Sequence, residues 1–264
     1  MITYSIIKKS QLEGAYRIDA EYYQPEYFID FSKGDWQPIG EHLEKCQYGL
    51  SLAMNDEKIG YPIYKMDDID YGFLFKDNIR YVKISDKEAE QYLINKNDIF
   101  FNRVNSDEFV GRTGIFKNGP KSVFASYLIR LKTKENGLIN SDYLNIFLNS
   151  QYGKKQIKKY ARRAVNQANV NAEELKQMKI AVLPKPAQEK IAELSDRSWK
   201  EFQNSKSFYL EAENLLLEEL GLKDFNEKAG LWSIVNLSET QKVNRIDPEY
   251  FQINLQYSTI LLLH

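Results

Sequence analysis

The residues of this chain best suited to chemistry are its cations and side-chain amides, and they are concentrated. Lys154-Lys155-Gln156-Ile157-Lys158-Lys159-Tyr160-Ala161-Arg162-Arg163 carries six cations in ten residues with no acid among them. At helical spacing Lys155, Lys158, Lys159 and Arg162 share a face. The run leads directly into Asn166, Gln167, Asn169 and Asn171, whose amides carry the paired donors and acceptors that match adenine edges. Upstream stand Asn102, Arg103, Asn105 and Ser106, then Arg112, Thr113 and Lys121. Cations position a phosphate backbone, while Arg and amides read base edges. The pattern therefore points to sequence-reading contact with double-stranded DNA. The candidate contacts are Asn102, Arg103, Asn105, Ser106, Arg112, Lys121, Arg162, Arg163, Asn166 and Gln167, with Lys154, Lys155, Lys158 and Lys159 as phosphate partners. Asn169 and Asn171 fit capping of a helix begun at Ala172 better than base contact. Gly49–Leu52 and Tyr61–Lys65 are further loop candidates, the second reading equally as a buried strand.

No catalytic or metal-ligating constellation accompanies these residues. The sequence has no Asn/Asp-Pro-Pro-Tyr motif, no glycine-rich loop after a strand and no Walker loop. His42 and His264 are the only histidines, so a two-histidine metal site is not expected and His42 reads as an ordinary surface residue. Glu174-Leu175-Lys176 matches only the tail of a nuclease motif, with no well-spaced Pro-Asp before it. The single Cys46 excludes a disulfide framework within the chain and a cysteine zinc site, and fits a reducing cytoplasm. MITYSIIKKS at the start does not read as a secretory signal, and no apolar run approaches the roughly 20 residues of a membrane span.

The 264 residues carry 36 basic and 37 acidic side chains, a formal charge of -1 that by itself argues against a polyanion. Segment by segment the picture reverses. Residues 1–98 carry net -6, residues 99–163 net +9 and residues 164–264 net -4. The average conceals a basic strip between acidic flanks.

The elements that position these residues follow from periodicity. Up to about residue 183, short aromatic or β-branched runs, Asn97–Phe101 and Ser122–Arg130 among them, read as strands. Ser141–Tyr160 reads as helix, with Leu144, Phe147, Leu148 and Ile157 on one face. The expected class is α+β. Pro184 and Pro186 then open a long helix. Its positions Ile191, Leu194, Ser198, Phe202, Ser205, Tyr209, Ala212 and Leu216 form a heptad with one stutter. Gly221 supplies the stop, for a rod of about 35 residues and about 50 Å. The seam Ile191, Leu194, Phe202, Tyr209, Ala212 and Leu216 is expected to pack on another helix; the alternative is that it folds back on its own domain.

Self-comparison shows a repeat. Tyr4–Gln24 aligns without a gap on Trp232–Gln252 at an offset of 228, with nine of 21 positions identical. The strongest part sets Arg17-Ile18-Asp19-x-Glu21-Tyr22-x-Gln24 against Arg245-Ile246-Asp247-x-Glu249-Tyr250-x-Gln252. The expected organisation is a recognition domain over 1–183, a spacer helix over 184–221 and the truncated start of a second unit over 222–264.

Five stretches, in this order and spacing, carry a resemblance. They are Asn97–Arg103 followed by Val110–Thr113; Phe124–Leu131; Asn149–Gly153; Gln167–Asn171; and Ile180–Ile191 with its two prolines. Over residues 4–255 the chain resembles the specificity subunit of type I restriction-modification systems. The resemblance implies a mixed sheet-and-helix target recognition domain followed by a long helix that packs in an antiparallel coiled coil. It also implies a subunit without catalysis of its own that recognises a bipartite DNA target. Its partners would be subunits methylating adenine and, where present, motor-nuclease restriction subunits, with S-adenosylmethionine and ATP bound only on those partners. Pro186-Ala187 and Glu189-Lys190 depart from the family's Pro-Pro and Glu-Gln. The larger departure is length, which leaves open a truncated subunit or a half subunit that homodimerises through its helix. Other readings are a recognition module of a larger restriction-methylation enzyme, or a coiled-coil interaction protein without a DNA role.

Overall fold

The computed structural model describes residues 6–12, 17–75, 79–222 and 235–246. Within them lie six α-helices: α1 (Asp86–Ala89), α2 (Ser141–Asn149), α3 (Gln151–Tyr160), α4 (Ala172–Gln177), α5 (Lys185–Glu219) and α6 (Leu237–Val243). The strand Ile99–Asn102 is central. In a six-stranded sheet it pairs antiparallel with Leu128–Thr133 on one side and with Thr113–Ile115 on the other. Leu43–Tyr48 closes one edge, while Phe73–Leu74 and Ile69–Asp70 complete the other.

All four residues of Ile99–Asn102 are buried, as expected of a strand covered on both faces, where side chains alternate between two cores. Ile99 and Phe101 join Ile129, Leu131, Leu144, Leu148, Ile157, Leu175 and Ile180 in one cluster. Phe100 joins Tyr64, Leu74, Phe116, Phe124 and Leu128 in another. The expected α+β class is thus observed. Tyr61–Tyr64, ambiguous in sequence, is a strand that pairs parallel with Val123–Phe124 and antiparallel with Arg80–Val82.

Three elements differ from the sequence reading. Ser122–Arg130 is not one strand: Val123–Phe124 and Leu128–Thr133 belong to different sheets, separated by a turn in which the Leu128 N–H donates to the Ala125 carbonyl. Ser141–Tyr160 is two helices. Ser150 ends the first and caps the second, its hydroxyl donating to the Phe147 carbonyl at 2.6 Å and accepting from the Gly153 N–H at 3.3 Å. The junction is tight enough that a Cβ on Gly153 would stand 2.3 Å from the Phe147 carbonyl oxygen. His42 is buried, its Nε2 without a partner among the described residues, and desolvation lowers its pKa, so it is no surface residue.

Helix α5 has the expected extent, and Gly221 follows it with φ +67°. The chain divides into two compact units, Met1–Phe202 and Gln203–His264, which meet within the helix. Within the first unit, α5 presents Gln188, Ile191, Ser195, Trp199 and Phe202 to the domain, at spacings of 3, 4, 4 and 3. Trp199 stacks on Phe75 with centroids 5.5 Å apart, and Phe202 lies 4.9 Å from Phe75 and 5.5 Å from Tyr71. The Gln188 amide accepts from the Asn140 N–H and donates to the Leu138 and Leu183 carbonyls. Ile191 and Phe202 therefore face the domain, and Leu194, 54% exposed, points away. The aromatic surface of Tyr71, Phe73 and Phe75 captures this half of the helix. In the second unit Tyr209, Ala212 and Leu216 of the seam are all exposed.

Lys117 is the polar anchor. Its ammonium lies 2.6 Å from the Asp142 carboxylate on α2 and 2.6 Å from Asp196 on α5, with Lys117 and Asp142 both buried. Removing one member of a buried pair strands the other. Lys117→Met is expected to cost about 3 kcal/mol in urea unfolding, and Lys117→Met with Asp142→Leu is expected to recover most of it. A single variant as stable as the parent would show that the pair is not an anchor.

Candidate nucleic-acid interface

The amides and cations singled out in the sequence come from segments about 60 residues apart, and a small three-stranded sheet joins them. Arg162–Ala164 and Gln167–Asn169 form an antiparallel hairpin, and Gln167–Asn169 pairs in turn with Val104–Asn105, setting Ala168 opposite Asn105. The hairpin turns at Val165 and Asn166. Val165 is 91% exposed and Asn166 has φ +60°, a conformation Asn tolerates better than most residues. Arg162, Arg163, Asn166 and Gln167 are all exposed. A two-stranded ribbon of this kind fits a DNA major groove.

Arg162 corrects the helical reading of the cation run. Helix α3 ends at Tyr160, Ala161 adopts an extended ψ of 128°, and Arg162 is on the hairpin, so it does not share a face with Lys155, Lys158 and Lys159. The run is also partly neutralised. Lys158 Nζ lies 3.0 Å from one Asp107 carboxylate oxygen, and Arg163 Nε lies 2.9 Å from the other. Lys158 also donates to the Asp107 carbonyl, and Arg163 to the Tyr27 hydroxyl at 3.3 Å. Burial works to raise the Asp107 pKa, but the hydrogen bond from Lys158 and the charge of Arg163 outweigh it, so the carboxyl titrates below its ordinary value. Arg162 Nε lies 2.6 Å from Glu174. Lys159 sits over the Tyr22 ring at 4.6 Å. Lys154 and Lys155 are exposed on α3, with no ion pair among the described residues.

Arg112 and Lys154 open onto one groove of about 500 Å³, which Lys158, Phe109, Glu108 and Asn149 also line. Arg112 is exposed and lies over Phe109 at 4.1 Å. Arg103 is half-buried, stacked over Tyr48 at 4.9 Å. Ser106 is exposed, and the Asn105 carboxamide accepts from its N–H at 2.8 Å. Lys121 lies over Tyr61 at 5.5 Å, beside a different sheet and outside this cluster. Asn102 is fully buried, with neither amide atom hydrogen-bonded among the described residues. It cannot touch DNA in this conformation, because its strand is covered on both faces. Asn171 caps α4, its carboxamide accepting from the Glu174 N–H at 2.8 Å while Glu174 accepts from the Asn171 N–H.

The sequence reading missed the acids and the N-terminal lock. The Arg17 side chain, 8% exposed, is bidentate to Asp19, 3.5 Å from Glu174 and 2.9 Å from the Tyr160 carbonyl, and lies over the Tyr22 ring. The hydrogen bond from Arg17 is the main cause of a lowered Asp19 pKa. The repeated Arg-Ile-Asp therefore has a structural role in its first copy, fastening the N-terminal segment to the ends of α3 and α4. The repeat itself was the signal. In the second copy only 235–246 lie among the described residues.

The type I restriction modification DNA specificity domain family matches residues 21–210. The chain belongs to this family. It is 30% identical over 182 residues to a putative type I restriction enzyme MjaX specificity subunit of Methanocaldococcus jannaschii, covering 66% of this chain and 43% of that protein. To the type I restriction enzyme EcoKI specificity subunit of Escherichia coli it is 23% identical over 172 residues, covering 64% and 36%. The chain thus spans less than half the length of either relative. Among solved structures, the S subunit of a type I restriction-modification system from M. genitalium matches with a TM-score of 0.49 at 14% identity, covering 74% of this chain and 46% of that one. The HsdS subunit of Thermoanaerobacter tengcongensis matches at 0.42 and 16%, covering 68% and 40%.

In this specificity domain the loop that carries Arg112 depends on Gly111. Its φ is +84°, its N–H donates to the Asn102 carbonyl at 2.8 Å, and a Cβ would stand 2.4 Å from Ile157 Cγ2. Gly111→Ala is expected to cost about 1–3 kcal/mol through backbone strain and overpacking, measured by urea unfolding. No loss would mean that α3 and the loop separate easily.

Proposed function

We propose that this specificity domain recognises double-stranded DNA and directs adenine methyltransferase subunits, together with motor-nuclease subunits where a system has them, to a bipartite target in the cytoplasm. It catalyses nothing itself, and S-adenosylmethionine and ATP bind its partners. The observation that carries the reading is the joining of an exposed, amide-tipped hairpin to unpaired lysines on α3. Lys154 and Lys155 hold phosphates, while Asn166, Gln167, Arg112 and Arg162 meet base edges. The exposed Tyr209 and Leu216, 76% and 59% accessible, support pairing of two long helices, one from each copy of the unit, since an apolar stripe of this kind marks an association site. A twofold pair would read two half-sites separated by a spacer set by helix length.

Two measurements test these roles. Lys154→Ala with Lys155→Ala is expected to weaken all duplexes alike and to flatten the log–log salt dependence by about 1.8, at about 0.9 per phosphate; an unchanged slope would remove both lysines from the interface. Light scattering at micromolar concentration is expected to show a dimer that Tyr209→Lys with Leu216→Lys converts to monomer. A monomeric parent would sink the helix pairing.

A further inference from the structure

Among the described carboxylates Asp107 is set apart by a different cation on each of its two oxygens. Asp68 accepts from the Lys65 N–H, Asp98 from the Asn95 N–H and Glu174 from the Asn171 N–H, so each stitches a turn or a helix start. The Asp107 oxygens meet only the two cations, Lys158 on α3 and Arg163 on the hairpin, among the described residues. The cluster sits at the surface, with Asp107 54% exposed and the cations 27% and 26%. An ion pair this exposed contributes little to stability.

The geometry has the chemistry of an occupied anion seat. Two oxygens of one acid, each taken by a separate cation, are what a backbone phosphate would present to the same pair. Lys158 lines the groove with Arg112 and Lys154, and Arg163 belongs to the strand that leads to the hairpin tip. A duplex gripped only by its phosphates meets Lys154 and Lys155 with no rival acid, but must displace Asp107 to reach Lys158 and Arg163. Displacement follows where base contacts at Asn166 and Gln167 draw the backbone in.

We propose that Asp107 is a specificity-determining residue: its carboxylate stands in for a DNA backbone phosphate between Lys158 and Arg163 and so withholds two cations from non-target duplex. The proposal rests on the DNA-recognition reading above. A carboxylate that merely pinned the hairpin to α3 would leave the electrostatics of binding unmoved.

The test is fluorescence anisotropy of a random-sequence duplex against the 264-residue chain over a range of KCl, with Asp107→Asn, Asp107→Ala and the control Glu108→Gln. Glu108→Gln removes the same charge from the same loop, where Glu108 meets no cation partner among the described residues. Both Asp107 variants are expected to bind more tightly and to steepen the log–log salt slope by about 0.9–1.8, one to two added phosphate contacts, with unfolding midpoints near the parent's. Glu108→Gln is expected to move the slope by less than half as much. An unchanged slope in both Asp107 variants, while the parent binds duplex, overturns the proposal and leaves the DNA reading standing. Equal effects of Glu108→Gln and Asp107→Asn overturn it in favour of bulk charge. A parent that binds no duplex at low salt overturns the DNA reading, and this proposal with it.

Discussion

Six like charges within ten residues repel one another, and the structure around α3 is organised to hold them close. Helix α3 takes four, exposing Lys154 and Lys155 while Gly153, Gln156 and Ile157 bury the other side. The chain then leaves the helix, so that Arg162 and Arg163 sit on a strand. Acids from distant segments supply the counter-charge: Asp107 from the loop after Val104–Asn105, and Glu174 from the first turn of α4. Glu174 also meets Arg17, so the same carboxylate ties the N-terminal segment to the basic region. Lys154 and Lys155 meet no acid among the described residues.

The second organising feature is the attachment of α5. A helix with one apolar stripe must bury it, and here the stripe is divided between two tasks. The face containing Trp199 and Phe202 is taken by Tyr71, Phe73 and Phe75, while Lys117 and Gln188 supply polar fastenings at its start. Past Phe202 the large apolar side chains Phe208, Tyr209, Leu210, Leu215 and Leu216 are exposed. These contacts fasten the first half of α5, through Phe202, to the domain it follows.

Much of this was legible in the residues. Pro184, Pro186 and Gly221 bracket α5 because the constraints they obey are local. Asn171 announces the start of α4 through a capping box that spans four residues. The apolar run Ile99–Phe101 declares a buried strand. The failures were of another kind. Asn102 looked like a reading residue, but polar character does not reveal that a strand is covered on both faces. Ser122–Arg130 has strand composition throughout, and only the assembly of two sheets shows where it turns. Arg162 fits a helical face by spacing, yet the pairing of Arg162 with Asn169 across the hairpin decides its place.

By itself the sequence determined the class of the domain, the length and limits of the spacer helix, the repeat, and the concentration of positive charge in one segment, since each is written in nearest-neighbour chemistry or in a period of a few residues. Only the tertiary structure decided which cations remain available, which helix face is already spent on the domain, and that the amides at 105 and 167 share one sheet, with Asn166 in its hairpin turn. Those outcomes depend on partners remote in the sequence, such as Asp107 for Lys158 and Phe75 for Trp199, and the energies that select them, strand pairing, burial and ion pairing, act through space rather than along the chain.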